Sequence, residues 1–401
     1  MTSRHGAFLS GLLFALSCAK SHAEQRTWTN TQGRTFQAEF VKVDGANAIF
    51  AFENGRTFAT PVADLSPADR QALVRLQSVA PAAPATPGTA AQTPVQTNFG
   101  YAWPREIRMD GASQSKVVSE DAKTGRYIYE SPHYRFTCDA RLTEDVLRNF
   151  AMMFETTHKY ATSVPLALHS GVIRQGRLDV LLFQSMNGYI QAGGPAGSAG
   201  CYVPSTGVVM VPMESLGLTR TSTGFSLDTA KQNKVLIHEL AHQLTTREYM
   251  RSSRNGWLVE GLAEYLASTP YTWGHFRPDP QGNIVLNYVT AYGEDGRFGR
   301  NLGKKLRAPR LKQFLLMDYS YFAGRNANFN YGFALLLTHY FLHMEGGGKS
   351  YRITEYLKAL RAGKNDEDAL APLLGGSTFE KLEKEFADAW RKKGIEIEFV
   401  P

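Results

Sequence analysis

"VLIHELAHQLT", Val235 to Thr245, carries two of the chain's ten histidines, His238 and His242, four residues apart, with Glu239 beside the first. On a helix, positions four apart share a face, so the two imidazoles stand one turn apart. Leu236, Leu240 and Leu244 fall on the opposite face and pack inward. The stretch is therefore predicted to be an amphipathic helix with H-E-x-x-H on its polar side, a spacing that lets both histidines reach one zinc ion. Two imidazoles do not complete a site, so a third ligand must come from elsewhere.

"NGWLVEGLAEYLAS", Asn255 to Ser268, supplies candidates. Asn255 or Gly256 precedes a predicted helix that places Glu260 and Glu264 one turn apart, eighteen residues after His242. Trp257, Leu258, Leu262 and Leu266 surround them, and carboxylates in such company are costly to bury without partners. A solvated polar face is the alternative reading.

The two segments together resemble the gluzincin metallopeptidases, in which H-E-x-x-H is followed by a second helix offering a glutamate. "W-L-x-E-G-x-A-E-Y" is similar to the corresponding motif of the zinc aminopeptidase branch. The resemblance, to a bacterial family with this gluzincin core, runs from the "YRF" strand at Tyr134 to "FEKLEKEFADAW", ending at Trp390. It implies a Zn2+ ion held by His238, His242 and Glu260, with Glu264 steadying the first histidine, and a peptide or protein substrate. Two imidazoles and one carboxylate leave a fourth position for water, as catalytic zinc requires, whereas structural sites usually close with cysteines and none lies nearby. Glu239 is then placed to take the water's proton.

The aminopeptidase branch draws an oxyanion donor from a tyrosine near the start of a later helix. "FNYGFALLLTHYFLHM" places Tyr331 some seventy residues past Glu260, followed by small Gly332 and Ala334. The lysine-glycine pair of true aminopeptidases is missing, which leaves the register open by a residue or two. An interfacial tyrosine capping a core helix is the other reading. "YVPSTGVVMVPMES" precedes the zinc helix where these enzymes keep the edge strand that pairs with an extended peptide. Its Glu214 is weakly similar to a glutamate that holds a substrate amine, with short spacing and no flanking glycine. His339 and His343 also stand four apart, with no acidic residue between them, and are read as structural or surface residues.

Outward from this site, residues 99–401 are expected to form one gluzincin-like α+β domain, a small mixed sheet followed by a mainly helical body. Cys138 and Cys201, the cysteines left once a leader is removed, permit one disulfide or two buried thiols. "VAPAAPATPGTAAQTPVQT" cannot bury a core, so residues 79–98 read as a semi-flexible linker. Residues 24–78 alternate from Phe36 to Val43, turn at Asp44-Gly45 and at Asn54-Gly55, and end in "LSPADRQALVRLQ", a helix with Ser66 as N-cap. "W-T-x-x-x-G-R-T-F-x-A-E-F-V" and "LSPAD" resemble the SLA-type homology module. That resemblance implies an SH3-like barrel that binds a protein or cell-envelope partner or acts as a spacer.

At the start, Arg4 and His5 precede the apolar "AFLSGLLFALSCA" and the small-x-small "SHA", a signal peptide over residues 1–23. The chain is thus expected to be exported, periplasmic or secreted. Cys18 after "ALS" offers a lipoprotein as the alternative, a poor match to a lipidation box. No later segment has the apolar length of a transmembrane span. The net charge is +7, and Lys and Arg never run to five or six together, which argues against a nucleic-acid arm. The basic clusters "KK" at Lys304 and "RKK" at Arg391 read as solvated faces. Two rivals keep these features without peptidase activity: a silent zinc-binding protein, and an interaction protein in which the large domain is a scaffold.

Overall fold

The computed structural model describes residues 26–31, 34–44, 47–51, 57–66, 69–70, 97–111, 114–169, 173, 176–221, 224–227, 234–291 and 299–401. The expected signal peptide, nearly all of the linker and most of the helix after Pro67 lie outside these residues. The chain divides into two compact units, with the boundary after Val95.

The first unit is an antiparallel meander of β1 (Arg26–Thr29), β2 (Thr35–Asp44), β3 (Asn47–Ala51) and β4 (Thr57–Pro61), in that order. Alternation puts Phe36, Ala38 and Phe40 on one face, where they pack with Trp28, Phe50, Phe58 and Leu65. The described residues form no closed barrel, because β1 and β4 do not pair. A bridge between Asn30 and Leu65 instead folds the segment after β4 back onto β1. Ser66 Oγ accepts from Asp69 N at 3.1 Å, as expected of an N-cap.

The second unit is α+β. Its main sheet has the order β10-β11-β9-β8-β7-β6, where β6 is Lys116–Asp121, β7 Arg126–Glu130, β8 Tyr134–Cys138, β9 Leu178–Phe183, β10 Cys201–Val203 and β11 Val208–Pro212. A two-residue strand, β5 (Ile107–Arg108), precedes them outside this sheet. Strand β9 runs parallel to both β8 and β11, and the other pairs are antiparallel, so the sheet is mixed. The crossover from β8 to β9 is α1 (Glu144–Ser163), capped by Thr143, whose side chain accepts from Val146 N. Leu178, Val180 and Leu182 alternate inward along β9.

The sheet order corrects one expectation. Cys138 ends β8 and Cys201 begins β10, with β9 and β11 between them. Three strand spacings of about 4.8 Å separate their Cα atoms by ~14 Å, about twice what a disulfide spans. The two cysteines form no disulfide, and Cys138 is buried as a thiol.

After α2 (Met186–Gln191) and the hairpin β12 (Leu218–Thr221) and β13 (Gly224–Leu227), the chain turns helical. Helix α3 (Lys234–Leu244) packs on β10 and β11. It buries Leu236, Leu240 and Leu244, each worth about 2 kcal/mol against exposure. Helix α4 (Gly256–Ser268) lies against both α3 and a later helix, α8 (Ala327–His339). Gly261 allows that second contact. A Cβ there would lie 2.2 Å from Thr338 Oγ1 and 2.9 Å from Ala334 O, so the α4 and α8 backbones nearly touch.

Between them run a short hairpin of β14 (Tyr271–Thr272) and β15 (His275–Phe276), α5 (Asn283–Thr290), β16 (Lys305–Pro309), α6 (Leu311–Leu315) and the one-turn α7 (Tyr319–Phe322). A π-turn, Tyr340–Met344, extends α8. Helices α9 (Tyr351–Arg361), α10 (Asp366–Leu374) and α11 (Phe379–Arg391) and strand β17 (Glu396–Val400), parallel to β16, complete the unit. No helix among the described residues is long and apolar enough to cross a membrane.

Candidate metal centre

Helix α3 presents His238 and His242 toward α4, and α4 presents Glu260 toward them. His238 Nε2 lies 3.1 Å from Glu260 Oε2 and 3.1 Å from His242 Nε2, and His242 Nε2 lies 3.4 Å from Glu260 Oε2. Three donor atoms thus form a nearly equilateral triangle. Tetrahedral zinc with ligand bonds of about 2.0–2.1 Å needs ligand–ligand edges of about 3.3–3.4 Å. Both the donor set and its spacing fit one face of such a tetrahedron. Among the described residues these three are the one group of histidine, cysteine and carboxylate side chains arranged to hold a metal ion.

Each donor is aimed by a further contact. His238 Nδ1 lies 3.0 Å from Glu264 Oε1, which leaves Nε2 turned toward the triangle. Glu264 is held in turn by Arg300, whose Nε and Nη2 donate to its two oxygens at 2.9 and 2.6 Å. Tyr319 donates from its hydroxyl to Glu260 Oε1 at 2.8 Å, so Oε2 faces the histidines. Gly256, at the start of α4, makes room for this. A Cβ there would meet the rings of Phe322 and Tyr319 at 3.1 and 3.3 Å. Asn255, before it, is spent on tertiary contacts, accepting from Tyr356 and donating to Tyr249 O.

The electrostatics follow from burial and pairing. Burial raises the Glu260 carboxyl, but the His242 charge and the His238 hydrogen bond outweigh it and hold the group well below the usual carboxylate range. For Glu264 the same opposition, with His238 and Arg300 as the lowering partners, gives about 2. His238 is pulled down by burial, yet its hydrogen bonds to Glu260 and Glu264 raise it well above a free imidazole. Both carboxylates are therefore anionic at neutral pH, as a ligand carboxylate in Glu260's place must be.

Glu239 lies beside the triangle, its Oε2 accepting from Tyr202 N at 2.8 Å. Tyr202 belongs to β10, the edge of the sheet, and its ring stacks near His242 at 6.4 Å. Tyr331, on α8, lies across the site. Its ring is centred 6.0 Å from that of His238, and the Arg300 guanidinium sits 5.0 Å over its face. Burial, then the charge of Glu260, pushes its hydroxyl pKa up, so it is a neutral donor. A cavity of about 380 Å³ opens here, with His238, Glu239, Glu264, Arg300, Tyr288 and Tyr331 in its lining.

The structure thus brings together His238, His242, Glu260, Glu264, Glu239 and Tyr331. It gives three other candidates, Glu214, His339 and His343, different surroundings. Glu214 accepts from Met186 N at the start of α2. His339 sits in the core and His343 is half-buried beside it, pushed down to about 3 and about 4 chiefly by burial. Sequence reading missed Tyr319, Arg300 and the backbone of Tyr202. Tyr319 follows Asp318, the cap of one isolated turn, and Arg300 lies outside any helix or strand. Neither position carries a periodic signal. In comparisons with known proteins, no family model and no curated protein matches the chain, so the reading of this site rests on its residues and their geometry.

Proposed function

We propose that the chain is an exported zinc-dependent peptidase with a gluzincin-like catalytic domain and an SH3-like module of the SLA type at its N-terminus. The observation that carries this is the donor triangle of His238, His242 and Glu260 with the unligated carboxylate of Glu239 beside it. Zinc, when bound by those three residues, would supply Lewis-acid polarisation of a carbonyl and a lowered water pKa. Glu239 is the general base, taking a proton from the attacking water and passing it to the leaving nitrogen. Tyr331 is the neutral donor to the oxygen on which charge develops. Glu264 and Tyr319 keep the ligand side chains in register. The edge strand β10 offers main-chain groups beside the site for an extended peptide. The N-terminal module is the spacer or partner-binding part, and residues 1–23 direct export.

Incubating the mature protein with a peptide library, with and without a chelator, tests the proposal by mass spectrometry. Cleavage that disappears with the chelator and returns with zinc supports it. Stoichiometric zinc with no cleavage of any peptide would leave a silent zinc-binding protein instead.

A further inference from the structure

We infer that Arg300 is a positioning residue whose one guanidinium fixes both the carboxylate that orients His238 and the ring of Tyr331, so that metal affinity and turnover depend on it through separate contacts. The turnover half rests on the peptidase reading above. The metal half does not.

The main chain of Arg300 is held on two sides. Its N donates to Tyr288 O at 2.7 Å, and the next two residues bond to Ala291 O and Val289 O, at the end of α5. Its carbonyl accepts from Asn328 Nδ2 of α8 at 2.8 Å. The stem then runs over Gly332. A Cβ at that glycine would come within 3.3 Å of Arg300 Cγ and 2.7 Å of Leu302 Cδ1. Glycine weakens a helix interior relative to alanine, and here it makes the space the arginine uses.

The head group has two tasks at once. Its fork grips Glu264 with two bonds, and its flat face covers Tyr331. The side chain is 22 % exposed against 2 % for Glu264, so the pair is largely shielded from water. A planar, bidentate and stacking cation is arginine's chemistry and not lysine's. Without it, Glu264 would keep only His238 as a charged partner, and both the imidazole's orientation and the tyrosine's would loosen.

The test uses the full mature chain as wild type, Arg300→Met, Arg300→Lys, Glu264→Gln and the Arg300→Met/Glu264→Gln double variant. Zinc affinity is read by competition with a chromophoric chelator, ligand geometry by the visible spectrum of the cobalt-substituted protein, and kcat and KM on a peptide that the wild type cuts. Arg300→Met is expected to weaken zinc by about ten- to a hundredfold and to alter the cobalt spectrum. At saturating zinc it still loses about tenfold or more in kcat, with KM little changed. Arg300→Lys regains zinc affinity, because the charge beside Glu264 returns, but not kcat, because the stacking face does not. The double variant removes the stranded buried charge, which guards against misfolding of the single one, and binds zinc like Glu264→Gln alone. Wild-type zinc affinity in Arg300→Met, or additive losses in the double variant, would overturn the Glu264 contact. Full recovery of kcat at saturating zinc would overturn the Tyr331 contact. If the wild type cuts no peptide, the peptidase reading falls, and the zinc and cobalt measurements alone decide the metal half.

Discussion

Two helical stretches of this molecule each bury histidines four residues apart. In α3 the rings of His238 and His242 are centred 4.7 Å apart, and from α8 into its π-turn those of His339 and His343 are 4.9 Å apart. Spacing and burial are nearly the same, but the neighbours differ. Helix α4 turns two carboxylates toward the first pair, and they hold His238 far above a free imidazole. Beside the second pair, His343 Nε2 meets the Tyr265 hydroxyl at 2.7 Å, and neither nitrogen of His339 has a partner among the described residues. The H-x-x-x-H spacing is therefore compatible with a site but does not make one. The charge delivered by the facing helix does.

Substitutions that exchange the two behaviours test this contrast most strongly. His238→Ala/His242→Ala should take zinc from one per chain to none by elemental analysis, while His339→Ala/His343→Ala should leave it at one. With the ligands intact, Glu239→Gln should keep zinc and lose turnover by about a thousandfold or more, since the base alone is removed. Retained zinc in the first double variant would erase the distinction.

The two tyrosines divide next. Tyr331→Phe, at matched zinc occupancy, should cut kcat by about a hundredfold, the usual loss for one oxyanion donor. Tyr319→Phe should act on zinc affinity instead, because its hydroxyl bonds Glu260 Oε1. Equal turnover in wild type and Tyr331→Phe would remove Tyr331 from the mechanism. For the carboxylates, Glu264→Ala should weaken zinc by about ten- to a hundredfold, and Glu260→Ala should abolish binding in the same competition assay. The reverse ranking would mean that the two glutamates have exchanged roles.

The smallest effects concern protons. His238 holds its proton more tightly than a free imidazole, and a zinc ion bound there would have to displace it. Zinc affinity should therefore fall as pH drops, by up to about tenfold per unit below that raised value. His339 has the opposite sign. Its folded value is about 3 and its unfolded one about 6.5, so the unfolded chain binds more protons between them, and stability is lost as pH falls through that window. His339→Leu should flatten the decline of Tm between pH 6.5 and 4 and cost little at pH 7, since no hydrogen bond is lost. A drop of many degrees at pH 7 would reveal a polar partner for the ring.

The legible parts of this molecule were those set by periodicity. The H-E-x-x-H face, the carboxylates one turn apart and the apolar stripe are consequences of 3.6 residues per turn, and they pointed to α3, α4 and their contents. The alternation of Phe36, Ala38 and Phe40 likewise announced β2. What was hidden depends on strand order and on loops. No pattern in the chain places β9 and β11 between Cys138 and Cys201, so a disulfide stayed open until the sheet excluded it. Tyr319 and Arg300 reach the site from a one-turn helix and a loop, where side-chain direction is decided by tertiary packing rather than by spacing.

Gly261 is absent from the cavity lining, yet it sets how far apart the two sides of the site stand. Any side chain there must push α4, with Glu260 and Glu264, away from α8, with Tyr331, since its first carbon already overlaps Thr338. A displacement of about 1 Å is enough to cost a hundredfold in rate when reacting groups must stay aligned. In a saturation scan for function this position should accept no replacement, alanine included, although it carries no chemistry of its own. The spacing of α4 and α8 around the site is held at its minimum by a single hydrogen atom.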